Sequence, residues 1–280
     1  GIVDSWGVEL GANFHKTVGE VTLHAGGNFS LTKNKIIEQY EEPRLYDNLV
    51  TTGHRMNQVM GLEAIGFFED EEDIANSLEH TFNVVQPGDI KYRDVNNDGK
   101  IDSNDQMEDV GNPSVPEIVY GFGLNAEWKG AYVGIFFQGS GNTSTVLGAS
   151  SNGAFFPFQW GVEESAVRSE VANRWTEQNP SQNVMFPRMH STNYDNNTAA
   201  STWWLRNASF LRLKNIEVGY NFKEKTLKKI GIQALRVYLQ GNNLCVWDDI
   251  KMWDPELGNT NGGFSYPLSR TFTFGLDFTF

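Results

Sequence analysis

The sequence is poor in several things, and each shortage excludes a class of protein. Its 280 residues include a single cysteine, Cys245, so no disulfide forms within the chain. No run of 18 apolar residues occurs and the mean hydropathy is negative, which excludes a bundle of transmembrane helices. Basic residues are few. Lys and Arg number 22 against 35 Asp and Glu, and the formal charge of −13 opposes binding to nucleic-acid phosphates. There is no glycine-rich dinucleotide or phosphate loop and no Ser-His-Asp or Cys-His arrangement, so no enzyme is expected. The five histidines (His15, His24, His54, His80 and His190) fall at no paired metal spacing and read as scattered. The chain opens Gly1-Ile2-Val3, without an initiator Met or a signal peptide, and reads as mid-protein sequence.

Glycine and aromatics are plentiful: 28 Gly, and 13% Phe, Trp and Tyr. Their distribution is ordered. From Phe272 to Phe280 every second residue is large and apolar (Phe272, Phe274, Leu276, Phe278, Phe280). The residues between are Thr273, Gly275, Asp277 and Thr279. Strand side chains alternate between two faces, so one face of this segment is aromatic and the other small or polar. A chain-terminal Phe beside a free carboxylate suits the aromatic girdle of an outer-membrane barrel better than a soluble core. Similar alternation recurs at Val8–Phe14, Val21–Gly27, Ile118–Trp128, Ala131–Phe137, Ile216–Phe222 and Leu235–Leu239. Each pattern alone also fits a half-buried strand of a soluble sandwich. Six or more in one chain favour an all-β, transmembrane antiparallel barrel wall with long extracellular loops.

The connections are of two kinds. Lys129-Gly130, Lys16–Gly19 and Lys223–Gly231 are short, whereas 142–202 and 245–267 are long and rich in Asn, Gly and Trp. Bacterial barrels have short periplasmic turns and long extracellular loops. With the C-terminus periplasmic, strands at 268–280, 209–222, 117–128 and 3–15 run down, and those at 233–244, 131–141 and 19–31 run up. An even number of strands must then lie between Thr32 and Pro116, and Thr51–Phe68 and Val84–Arg93 are the candidates. The expectation is about nine strands, which is a section of a larger wall because single-chain bacterial barrels use even numbers. Trp203-Trp204 is expected in the outer interfacial belt, and Glu163–Trp175 as an amphipathic helix packed on its own loop. Trp247, Trp253, Phe264 and Tyr266 are expected to anchor the last long loop.

One motif carries sharper chemistry. Asp94-Val-Asn96-Asn-Asp98-Gly99-Lys100-Ile-Asp102-Ser-Asn-Asp105 has the ligand spacing of a calcium loop. Side-chain oxygens stand at positions 1, 3, 5, 9 and 12, Gly99 at position 6, and Lys100 at position 7 offers its carbonyl. Asp105 replaces the usual Glu, and no flanking helices are evident. A structural Ca site at Asp94, Asn96, Asp98, Lys100, Asp102 and Asp105 is one reading. A self-bonded loop of Asx turns is the other.

From these residues onward the chain resembles the SusC/RagA family of TonB-dependent transporters. The resemblance runs from Pro87-Gly88-Asp89-Ile90-Lys91-Tyr92-Arg93-Asp94 through Gly111-Asn112-Pro113, Phe136-Phe137-Gln138-Gly139 and Asn173-Arg174-Trp175-Thr176. It continues in Phe210–Asn215, Gly241-Asn242-Asn243-Leu244, Trp253-Asp254-Pro255-Glu256 and Phe280. It implies that 1–280 is the C-terminal part of a barrel domain of about 22 strands, without the plug. It also implies an outer-membrane protein that imports oligosaccharides or peptides. The implied partners are the remaining strands and plug, TonB acting through the plug, a SusD-like surface lipoprotein and membrane lipid. A passive porin-like barrel and a soluble calcium-binding β-sandwich adhesin are the alternatives.

Overall fold

The computed structural model describes residues 1–148, 155–158, 167–222, 227, 231–258 and 265–280. Among them the strands run β1 (Ile2–Val18), β2 (Val21–Glu38), β3 (Ala64–Phe67), β4 (Glu79–His80), β5 (Ile90–Tyr92), β6 (Lys100–Ile101), β7 (Ile118–Trp128), β8 (Ala131–Gly141), β9 (Ser144–Val146), β10 (Leu205–Asn207), β11 (Phe210–Asn221), β12 (Ala234–Asp248) and β13 (Thr271–Thr279). Two short helices, α1 (Glu71–Ala75) and α2 (Asp195–Thr198), lie in the long connections.

Seven strands form one antiparallel sheet in the order β1-β2-β7-β8-β11-β12-β13. They are 9 to 18 residues long, enough to cross a bilayer, which takes about 10 tilted residues. Their register sorts the side chains into continuous lateral rows. Phe14, Ala25, Leu124, Ile135, Ile216, Gly241 and Phe272 stand side by side on one face. One residue along, His15, His24, Asn125, Gly134, Glu217, Gln240 and Thr273 form the corresponding row on the other. One face is thus apolar and the other mainly polar or small, with Phe136 and Val119 as exceptions, as suits a wall between lipid and an aqueous lumen. Among the described residues no second sheet packs on the apolar face, where Phe122, Leu124, Phe272, Phe274 and Leu276 are exposed. A soluble sandwich would cover that face with a second sheet.

The wall has seven strands among the described residues, not nine. Thr51–Phe68 and Val84–Arg93 do not enter it. They contribute only β3 and β5, of 4 and 3 residues, paired to each other in a separate small sheet. Both are too short to cross a bilayer. Their apolar residues Leu62, Phe67, Phe68 and Ile90 are buried in a core of their own. β2 pairs directly and antiparallel with β7, so neighbouring wall strands alternate in direction throughout.

That core lies outside the wall, in the polypeptide between wall strands. Leu62, Phe67, Ile90, Tyr92, Ile101, Leu147, Phe155, Val171, Trp175, Phe186 and Trp204 pack into a cap above the strand ends. Trp204 is 0% exposed and donates Nε1–H to the Asn197 carbonyl (2.8 Å), so it is core rather than interfacial belt. Trp203 packs on Phe67 and donates to the Met185 carbonyl. The first residues of the expected helix, Glu163–Ala166, lie outside the described residues. From 167 on there is a single 3-10 turn, Ser169–Ala172, with Val171 and Trp175 buried in the cap. Trp253 anchors its loop by donating to the Gly258 carbonyl (2.7 Å) and packing on Phe155. Trp247 belongs to β12 and is exposed, as is Tyr266, and Phe264 lies outside the described residues.

Candidate functional site

The acidic loop wraps as its spacing demands. Asn97 and Gly99 take positive φ (58° and 88°), which turns the chain inward twice. Asp94 Oδ2 accepts from the Gly99 amide (3.1 Å), Asn96 Oδ1 from the Asp98 amide (2.9 Å), and Asp98 Oδ1 from the Lys100 amide (3.2 Å). The second half of the loop turns its carboxylates elsewhere. Asp105 is fully buried, with Oδ1 accepting from the Val95 amide (2.9 Å) and Oδ2 from the Asp102 amide (2.8 Å). Asp102 caps the Ser103–Asp105 turn through the Asn104 amide and pairs with Lys100 Nζ at 2.5 Å. That hydrogen bond holds the Asp102 carboxyl below the usual carboxylate range and raises the Lys100 ammonium.

Two upstream residues hold the loop from outside. The Tyr46 hydroxyl donates to Asp98 Oδ2 (3.0 Å), and Asn48 Nδ2 donates to the carbonyls of Asn104 and Gln106. Among the described residues no three His, Cys, Asp or Glu side chains converge on a metal position. One donor remains open: Asp94 Oδ1 is buried with no hydrogen-bond partner. The other side-chain oxygens of the first half of the loop accept hydrogen bonds: Asp94 Oδ2, Asn96 Oδ1 and Asp98 Oδ1 from backbone amides, and Asp98 Oδ2 from Tyr46 and Asn96 Nδ2. The Asp102 carboxylate is taken up by the Asn104 amide and Lys100 Nζ, and that of Asp105 by backbone amides.

The lumenal face carries a charged network that the sequence pattern did not single out. Tyr132 lies over Gly219, where any Cβ would meet its ring. Its hydroxyl donates to Glu217 (2.7 Å) and accepts from Arg236 Nε (2.7 Å). Arg236 also pairs with Glu217 and, at 3.6 Å, with Asp277, and it stacks on Tyr238 at 4.4 Å. The sequence signal was there: a Gly opposite an aromatic on a polar face, repeated at Gly275 under Tyr238.

Comparison with known proteins places this architecture. No family model matches the chain. TonB-dependent receptor P26 of Formosa agariphila is 31% identical over 231 residues, covering 79% of this chain and 22% of that protein. TonB-dependent receptor SusC of Bacteroides thetaiotaomicron is 37% identical over 84 residues, covering 29% of this chain and 8% of SusC. The RagAB peptide transporter structure superposes with a TM-score of 0.71 at 21% identity, over 99% of this chain and 29% of that one.

The chain belongs to the SusC/RagA family of TonB-dependent receptors.

It spans less than a third of the length of these relatives, which are receptors and transporters rather than enzymes. Proteins of the SusC type are outer-membrane β-barrels. The SusC/RagA motifs now acquire physical reasons, and most are braces of the cap. Gly88 has φ 91°, and a Cβ there would overlap the Trp175 ring, so the Pro87-Gly88-Asp89 and Asn173–Thr176 segments are shaped for each other. Asp89, fully buried, accepts from the Gln86 amide and Asn197 Nδ2 and bonds His190 at 2.6 Å, tying three segments together. Arg212, from Phe210–Asn215, pairs with Asp254 at 2.5 Å and with Glu256 at 2.9 Å, joining β11 to the Trp253–Glu256 segment. Arg55 spans Asp109 and Glu117 on either side of Gly111-Asn112-Pro113.

Proposed function

We propose that this chain is the C-terminal wall and extracellular cap of an outer-membrane importer energised through TonB. The observation that carries the reading is the single sheet with one apolar and one mainly polar face, topped by a cap with its own core, in a chain related to TonB-dependent receptors. In this reading 1–280 lies within the barrel domain, the plug belongs to the rest of the transporter, and the C-terminus of β13 is periplasmic. The cap then faces outward, where a SusD-like lipoprotein would cover it and deliver cargo. Oligosaccharides or peptides are the proposed cargo. RagAB, with the same wall architecture, is a peptide transporter, and SusC is a relative by sequence. Calcium at Asp94, Asn96, Asp98 and the Lys100 carbonyl is proposed as a structural brace of the cap, since a wrapping loop of many oxygens suits Ca better than Mg. The test is uptake of labelled oligosaccharides and peptides by cells in which this chain is disrupted, with and without an active TonB system. Loss of uptake of one class, mimicked by loss of TonB, is expected. Unchanged uptake of both classes would remove the proposal.

A further inference from the structure

His15 and His24 are nine residues apart, at no paired metal spacing along the chain. The β1–β2 hairpin makes them direct cross-strand partners. Both project from the lumenal face and both are exposed. His15 Nδ1 lies 3.0 Å from His24 Nδ1 and 3.2 Å from His24 Nε2, with ring centroids 4.2 Å apart. Two neutral imidazoles at that distance can share one N–H between them, and two imidazolium ions would repel.

The same spacing suits a metal ion. Two nitrogens each about 2.0–2.1 Å from one ion, and cis to one another, lie roughly 2.9–3.4 Å apart. The imidazole pair already has that separation, held by the ladder of a 17-residue strand. Polar side chains line the same lumenal face, and Asn125 is the other cross-strand neighbour of His24. Asn13, Asn28 and Asn125 border the recess that both histidines line, and Glu127 shares a second recess with His24. Neutral imidazole favours Zn, Cu and Ni over Ca and Mg. We infer that His15 and His24 form a bis-imidazole site for a divalent transition-metal ion on the lumenal wall, completed by water and amide or carboxylate oxygen. This site is separate from the acidic loop in the cap and independent of the cargo proposed above.

The test is Cu(II) titration of the tag-free transporter containing this chain, extracted from outer membranes in detergent and stripped of metal. Electron paramagnetic resonance reads the ligands, and Zn(II) competition reads the class. The expected result is one Cu(II) per chain, coupled to two nitrogens and displaced by Zn(II). Loss of an outer-shell partner weakens metal sites by about 10–100-fold. His15→Asn and His24→Gln, which each remove a direct ligand, should weaken binding at least that much. The double variant should bind none at this site. A parent spectrum without two-nitrogen coupling overturns the inference, whether or not the variants assemble. So does a double variant that assembles and gives the parent's spectrum.

Discussion

Asp94 is the residue at which the two readings of the acidic loop part. Its Oδ2 accepts from the Gly99 amide five residues on, while its Oδ1 is buried and unpartnered. A buried acceptor left unsatisfied costs about 1–3 kcal/mol, which a cation would recover. Asp94→Asn keeps an oxygen for the turn and removes the charge, so it should abolish calcium binding while leaving the loop folded. Asp105→Asn should instead destabilise the cap with or without calcium, because both Asp105 oxygens hold backbone amides. Metal analysis and thermal unfolding, in calcium and in chelator, read both effects. Saturating calcium at about 100 times Kd would add about 2.7 kcal/mol to the parent. Equal calcium in the parent and Asp94→Asn would leave the self-bonded loop as the better account. At this scale the sequence disclosed the loop's ligand order and its Gly99 turn, because these are local. It did not disclose Tyr46 and Asn48, whose contacts cross about fifty residues of chain, or the commitment of Asp105. Spacing shows what a residue type can do, but not which of its oxygens are already occupied.

At the level of elements, the wall strands were legible and the cap was not. Period-two alternation survives in β7, β12 and β13 because one face of each meets lipid and the other water, and no tertiary contact overrides that division. In 51–68 and 84–93 the apolar residues are instead dictated by a packed core reached from several segments, so their pattern has no fixed period. The same argument misled the reading of Trp203 and Trp204. A Trp pair just before a strand looks like an interfacial belt, yet Trp204 is filling that core. The wall makes its own prediction. Leu276 sits mid-strand on the apolar face beside Val237, and Thr273 on the polar face beside Gln240. Leu276→Arg should cost about 2–4 kcal/mol of membrane stability at mid-bilayer, whereas Thr273→Arg should be mild. Heat-modifiable mobility of the assembled barrel reports the difference. Equal assembly of Leu276→Arg and the parent would reverse the assignment of the two faces.

For the whole molecule, the decisive fact is that the sheet does not close among the described residues. There β1 pairs only with β2 and β13 only with β12, so each end of the seven-stranded sheet presents a bare row of backbone N–H and C=O groups. Hydrocarbon supplies no partner for them, and each unmet group costs several kcal/mol, so a spanning sheet must find further strands. β1 is 17 residues long and β13 is 9. The unmet ladder along β1 alone is therefore larger than the 5–15 kcal/mol by which domains are typically stable. The cap does not share this dependence, since its core is buried within its own segments. Residues 1–280 targeted alone to the outer membrane should thus give no heat-modifiable, protease-resistant band. Co-expression with the remaining strands of the barrel should restore one. The cap epitope should appear on the cell surface only in the second case. A protease-resistant, surface-displayed product from the chain alone would mean that its own edges find each other, through self-closure or a second copy, and the proposed dependence on other strands would then be wrong.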